Sequence, residues 1–423
     1  MNFSFFFTTH QIKTNIQFNL ILIIFLSVIT FASCSSTKRF AEDDNYNATE
    51  SNFIRVLLKE QSNKLVVKVD SQIILSDKNK KLAKVNSGNN LIFSLYDEEL
   101  KLTISNKEFV ADTFYLDGND DSSIIQVDNK KYRGRLKIFG SVSQIKVVNQ
   151  IGLEDYVKGV MTREMPIGKG NENYEALKAF SICVRTYALL KIFENKSFYD
   201  IYPDTRDQVY GGVDAETQIS SKAVNETKRM ILSYNGSPAV VFFHSTCGGF
   251  TEDVGNVFSK IDLPYLKTIE DGSEPYCNIA PKFNWTEQYS EALFVTRLYD
   301  AKLIPAKNYI IKNLEVKSRF KSGRVSELIV DLLDNNNAEK RISMFGNNIR
   351  YVIKTSDGKS ILRSTLFNIF LQDDNEVLIK GKGYGHGVGL CQWGAIGQSR
   401  KGLDYQSILN HYFHGTKIIN YYD

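Results

Sequence analysis

Charge of one sign is what this sequence has least of. Its 52 Lys and Arg stand against 48 Asp and Glu, a formal net charge of +4, which leaves no electrostatic footprint of the kind that binds nucleic acid. Proline is scarce too: seven residues in 423, beside 22 Tyr and 27 Phe. Few breakers and many aromatics fit a folded chain rich in strands, because aromatic side chains suit pleated, half-buried surfaces. There is no internal repeat and no low-complexity tract. No G-x-G-x-x-G register fits the glycines, which argues against a phosphate cradle, and no Ser/His/Asp or Cys/His nucleophile signature stands out. A hydrophobic content of 43% over this length supports a large core and two or more subdomains.

The apolar run from Phe18 to Phe31 follows Lys13 and is too short for a comfortable membrane span. It ends in Phe31-Ala32-Ser33-Cys34, small residues before a cysteine, which resembles a bacterial lipoprotein signal. That resemblance implies cleavage before Cys34, acylation of its new N-terminus and membrane attachment through the lipid. An ordinary secretory signal or an uncleaved anchor are the alternatives. In each case the rest of the chain is expected outside the cytoplasm, facing the periplasm or cell envelope, and Ser35 suggests the outer membrane if the cell has two.

Beyond the signal, residues 1–34, a polar tether covers 35–52. Residues 53–148 then carry short β-branched or aromatic runs parted by Asn, Asp, Gly and Ser: Ile54 to Leu58, Leu65 to Val69, Leu91 to Tyr96, Leu100 to Ile104, Tyr132 to Phe139 and Ile145 to Val148. This pattern predicts an antiparallel β subdomain. Residues 149–285 form the expected catalytic core, 286–378 an inserted β-rich subdomain with strands near Val316, Leu328 to Leu333 and Ile342 to Met344, and 379–423 a Gly-rich segment and helix that complete the core. The fold class is therefore α+β, antiparallel β-rich subdomains around a core with one long buried helix.

That helix is expected over Tyr174 to Phe193, where Ala176, Leu177, Phe180, Cys183, Val184, Tyr187 and Ala188 make an apolar band wider than a surface stripe. Lys178, Ser181 and Arg185 share one of its faces. Structural ion pairing and a substrate-facing row explain them equally well. Met230 to Tyr234, Asn235-Gly236 and Ala239 to His244 predict a hairpin with a type I′ turn. Asp404 should cap a helix running to Tyr412.

Four cysteines follow Cys34. Cys247 and Cys277 could be bridged in an oxidising compartment, while Cys183 and Cys391 read as small buried hydrophobes. His244, Cys247 and Cys277 supply three metal ligands, and His411 and His414 two more, but neither set completes a four-ligand zinc spacing. The Cys247–Cys277 disulfide is the preferred reading, and no metal or cofactor is expected. Glu164 precedes Met165-Pro166, so it sits at an element end, where side chains face clefts or turns. In Gly381-Lys382-Gly383-Tyr384-Gly385-His386-Gly387-Val388-Gly389, glycine at alternate positions of an extended strand would leave one face bare. The bare face would admit either a polymer or another backbone.

Together these segments resemble the SpoIID/LytB group of peptidoglycan-acting proteins. The resemblance rests on Tyr132-Arg133-Gly134, Leu153-Glu154-Asp155-Tyr156 to Gly159-Val160, Glu164-Met165-Pro166, Glu175-Ala176-Leu177-Lys178-Ala179 to Arg185-Thr186-Tyr187-Ala188, and Asp207-Gln208-Val209-Tyr210-Gly211-Gly212. It continues through Phe243-His244-Ser245-Thr246, Gly248-Gly249, Leu263-Pro264-Tyr265-Leu266, the Gly383 to Gly389 run, Gln392-Trp393-Gly394-Ala395, and His411-Tyr412 to Gly415-Thr416. It implies a lytic transglycosylase that cuts between N-acetylmuramic acid and N-acetylglucosamine, on strands stripped of stem peptides, with Glu164 as acid and base. Lys178, Arg185, Tyr187, His244, Tyr384, His386 and Gln392 would position the glycan. Some members hold zinc near the Asp-Gln-Val-Tyr motif through Cys and His; here Tyr202 and Asp207 stand in that neighbourhood without cysteines. The family's other branch implies a non-catalytic partner of an N-acetylmuramoyl-L-alanine amidase.

Overall fold

The computed structural model describes residues 53–421 apart from 62–63, 98, 119–122, 142, 195–197 and 259–261. The expected signal, Cys34 and the tether lie outside the described residues. Among those described, no helix is long and apolar enough to cross a membrane.

The chain is α+β. Its first part makes two antiparallel six-stranded sheets. One runs, in spatial order, Phe53–Gln61, Gln144–Gly152, Arg135–Ser141, Thr113–Gly118, Ile73–Ser76, Lys81–Val85; the other runs Lys130–Tyr132, Ile125–Val127, Lys64–Val69, Asn90–Tyr96, Glu99–Ile104, Lys107–Ala111. Period-two patterning explains the burial. In Lys64–Val69, Leu65, Val67 and Val69 are buried and the lysines are exposed. Phe93 of one sheet meets Phe114 of the other edge-on, ring centroids 5.8 Å apart. The strand expected over Tyr132 to Phe139 is broken at Gly134, whose φ of +77° turns the chain from one sheet into the other.

Strand Gln144–Gly152 runs straight into helix α1, Leu153–Glu164, and the long helix α2 follows at Tyr174–Glu194. Helix α2 is apolar nearly all round, as a helix in the middle of a core must be. Ala176, Phe180, Ile182, Cys183 and Val184 are all fully buried. It packs against α1, against α3 at Gln218–Glu226, and against two C-terminal helices, Gln392–Arg400 and Tyr405–Tyr412. The last begins at Asp404, whose side chain accepts the Ser407 amide.

The Asn-Gly turn also forms as read, Asn235 and Gly236 both having positive φ. Its second strand, however, is only Ser237–Pro238. His244 belongs instead to a short strand, Phe243–His244, that pairs in parallel with Leu390–Cys391. Lys417–Asn420 supplies the missing partner for Met230–Tyr234.

Between Asn284 and Lys382 the chain leaves and returns through a paired strand register, and builds a second core from Trp285, Phe294, Leu298, Leu328, Val330, Leu332, Ile349 and Ile379. Its strand Val325–Leu333 lies between Ile310–Arg319 and Glu339–Phe345. Buried Arg324 reaches out of this region to the carbonyl oxygens of Cys247, at 2.8 Å, and Phe250, at 3.2 Å.

Candidate functional site

Helix α1 carries Glu154 and Asp155 in its first turn and buries Tyr156, Val157, Val160 and Met161. It stops where Met165, restricted by Pro166, takes an extended conformation. Glu164 is thus the last helical residue, half-buried. Its Oε1 accepts the Val209 amide at 2.7 Å, and the Gln392 side chain lies close enough to favour the charged carboxylate. Burial raises its pKa above the ordinary glutamate value, partly offset by the Val209 amide and then Gln392. The negative end of the α1 dipole acts in the same direction as burial.

The Asp207 to Gly212 turn is bonded residue by residue onto α1. Tyr156 donates to Gln208 Oε1 at 3.0 Å, Val209 serves Glu164, Tyr210 stacks on Tyr156 with centroids 5.1 Å apart, and the Gly211 amide donates to the Gly159 carbonyl at 2.9 Å. Gly159 must be glycine, because a Cβ there would run into the Tyr210 ring. Asp207 anchors the turn, accepting from the Tyr187 hydroxyl at 2.7 Å and from the Tyr202 amide at 2.9 Å.

Three residues expected to hold substrate have structural partners instead. Arg185 is fully buried and grips Glu154 with two nitrogens, at 3.0 and 2.7 Å, while a third donates to the Met230 carbonyl at 3.0 Å. A guanidinium without solvent contact cannot meet a glycan. Lys178 pairs with Glu175 at 2.6 Å and lies over the Tyr174 and Tyr405 rings. Ser181, on the same face, bonds the Thr227 hydroxyl at 2.6 Å. The whole row joins α2 to its neighbours, and the Tyr187 hydroxyl is taken up by Asp207.

The Gly-rich run is not the extended strand its alternation predicted. Gly383, Gly385, Gly387 and Gly389 all have positive φ, from +71° to +117°. The segment winds closely along residues 242–247. A Cβ on Gly389 would strike the Phe242 carbonyl, so the bare side accommodates this chain's own backbone.

His244 and His386 come together there, ring centroids 5.5 Å apart. His244 Nδ1 lies 3.1 Å from the Val388 carbonyl and must carry the proton, which leaves Nε2 a buried acceptor with no partner among the described residues. His386 Nδ1 accepts the Val388 amide at 3.0 Å and so has the opposite tautomer. Burial holds both imidazoles neutral, lowering His244 well below 6.5 and His386 to about 3. Tyr384, at 40% exposure, is the outward-facing member of this group. Because His244 is paired with Cys391, the residue before Gln392, the seam is continuous with the Glu164 partner.

The sequence reading missed the Val209 amide, which has no side-chain signal. It also missed a buried cluster: one ligand atom from each of Cys247, Asp271, Cys277 and Cys391 lies within 4.8 Å of the others. Cys247 and Cys277 are free thiols here, sulfurs 3.4 Å apart.

The family model described as Stage II sporulation protein matches residues 141–234, and one described as Domain of unknown function (DUF8618) matches 278–389. An uncharacterized protein of Brachyspira hyodysenteriae is 32% identical over 298 residues, 69% of this chain and 73% of that protein. The amidase enhancer of Bacillus subtilis is 30% identical over 63% of this chain, which spans only 40% of that relative's length. Stage II sporulation protein D of the same organism is 27% identical over 64% of this chain and 75% of its own.

Proposed function

Since the chain belongs to the SpoIID/LytB family, we propose that it acts on the peptidoglycan of the cell wall, as a lytic transglycosylase with Glu164 as its acid and base. The observation that carries this reading is a half-buried carboxyl with a raised pKa, held by one amide side chain and one backbone N–H, with no cationic partner among the described residues. The two cations of helix α2 are engaged with other carboxylates, Arg185 with Glu154 and Lys178 with Glu175.

A protonated Glu164 donates to the glycosidic oxygen between N-acetylmuramic acid and N-acetylglucosamine, and that bond breaks. The resulting carboxylate then takes the proton of the muramyl 6-hydroxyl, whose oxygen bonds to C1 and closes the 1,6-anhydro ring. An intramolecular nucleophile removes the need for the second carboxylate of ordinary glycosidases. In this reading Gln392 and the Val209 amide aim the carboxyl, and Tyr384 and His386 border the sugar path with buried His244 behind them, on strands stripped of stem peptides. Attachment to the envelope through a lipid on Cys34 belongs to the same proposal.

The likeness to a relative named amidase enhancer favours a second reading, in which the cleft holds glycan while a separate cell-wall amidase cuts. Mass spectrometry of products from the chain beginning at residue 35, given intact and amidase-stripped peptidoglycan, separates the two. Anhydromuramyl ends from the wild type and none from Glu164→Gln are expected. Glycan binding with no product from either substrate would replace the first reading by the second.

A further inference from the structure

We propose that Cys247, Asp271, Cys277 and Cys391 bind a single zinc ion in a closed, four-ligand structural site. All four residues are fully buried, and their ligand atoms converge within 4.8 Å of one another. A tetrahedral zinc with sulfur bonds of about 2.3 Å sets its ligands roughly 3.7 Å apart, so the set closes on an ion through shifts on the order of 1 Å. The Cys247 and Cys277 sulfurs, 3.4 Å apart, already stand near that spacing.

The surroundings are arranged for anionic ligands. Cys391 Sγ faces the amides of Cys247, at 3.1 Å, and Gly394, at 3.3 Å, and it caps the N-terminus of helix Gln392–Arg400. Cys247 Sγ receives the Gly249 amide at 3.5 Å, an approach that needs the positive φ values of Gly248 and Gly249. Asp271 takes the Cys277 amide on Oδ2 at 2.9 Å and the Tyr412 hydroxyl on Oδ1 at 2.5 Å. These hydrogen bonds orient ligands as the outer shell of a metal site does, and a carboxylate still has lone pairs to spare.

A disulfide accounts for the cluster less well. Joining Cys247 to Cys277 uses two sulfurs and leaves the Cys391 thiol and the Asp271 carboxyl buried beside it. Among the described residues the donors to the Asp271 carboxyl are neutral, the Cys277 amide and the Tyr412 hydroxyl. Burial without a cation favours the protonated acid at Asp271, and a divalent ion would displace that proton and supply the compensating charge. The ligands come from the turn after Phe243–His244, from the segment around Tyr276–Ile279 and from the residue before Gln392. One ion therefore ties three distant stretches and fixes the residue that partners Glu164.

The test is metal analysis of the full chain, purified without reductant or chelator, by plasma mass spectrometry. One zinc per chain is expected, and cobalt exchanged into the site should give thiolate-to-metal charge-transfer bands and the intense visible absorption of a tetrahedral ion. Cys391→Ser should weaken zinc retention against a chelator about 10- to 100-fold or more, whereas Cys183→Ser, buried away from the cluster, should keep one zinc. If Cys391→Ser does not fold, Asp271→Asn should still shift the cobalt spectrum. A chain without zinc that is lighter by two hydrogens, with Cys247 and Cys277 peptides linked, overturns the proposal. So does a zinc-free chain with every thiol titratable and no cobalt spectrum.

Discussion

The Gln392 side chain lies against the carboxyl of Glu164 and favours its charged form, bringing the start of the C-terminal helix Gln392–Arg400 to the end of α1. The two residues lie more than 200 positions apart in the sequence, and neither position is conspicuous alone. Glu164 is one glutamate among many, and Gln392 one polar residue after a Gly-rich run.

Gln392 is one of two hydrogen-bonding groups that hold down the Glu164 pKa against burial. Replacing it by leucine removes that support, so the alkaline limb of the pH–rate profile should move to higher pH. A profile that scales down without moving would show that Gln392 touches substrate alone.

The raised pKa of Glu164 has a consequence for stability. The folded chain keeps this proton at pH values where the unfolded chain has released it, so stability falls as pH rises from the unfolded value through the folded one. Glu164→Gln is therefore expected to melt higher than wild type near neutral pH. The gap should close below the ordinary glutamate range. Calorimetry at several pH values checks this, alongside a loss of turnover of about 100-fold or more.

Arg185 is predicted to matter for folding and not for glycan contact. Arg185→Met leaves Glu154 facing a buried apolar neighbour and should cost about 3–5 kcal/mol, with part recovered by adding Glu154→Leu. Urea unfolding measures both. A variant that keeps wild-type stability but loses glycan binding would restore the substrate role the sequence suggested.

Two glycines with positive φ should respond differently to alanine. Gly170, at +58°, has open space around its missing Cβ, so Gly170→Ala should cost only about 1 kcal/mol of backbone strain. Gly389, at +71°, would drive a methyl into the Phe242 carbonyl. Gly389→Ala should therefore break the pairing of Phe243–His244 with Leu390–Cys391 and lower the melting temperature much further.

Local chemistry made a large part of this architecture legible. Leu65 to Val69 alternates, Asn235-Gly236 demands its turn, Asp404 caps its helix, and the apolar band of Tyr174 to Phe193 could only be a core helix. The failures share a cause: alternation says which sides of a segment differ, but not what lies against them. Glycine at alternate positions from Gly381 to Gly389 matched a strand, yet the close passage of residues 242–247 bends it through positive φ. Arg185 showed as a cation on a buried helix, but Glu154, its partner from another helix, did not, whereas Glu175 stood at i,i+3 spacing from Lys178 and was legible. Asp271 and Cys391 carried no spacing signal because their neighbours are brought in by tertiary structure.

The paired strand ends at Asn284 and Lys382 interrupt the core with an entire second one. Gln392 therefore joins Glu164 only after the intervening segment has been synthesised. The pairing of Glu164 with the Gln392 side thus waits on the whole second core, so the order of residues along the chain makes this site one of the last features of the fold to be completed.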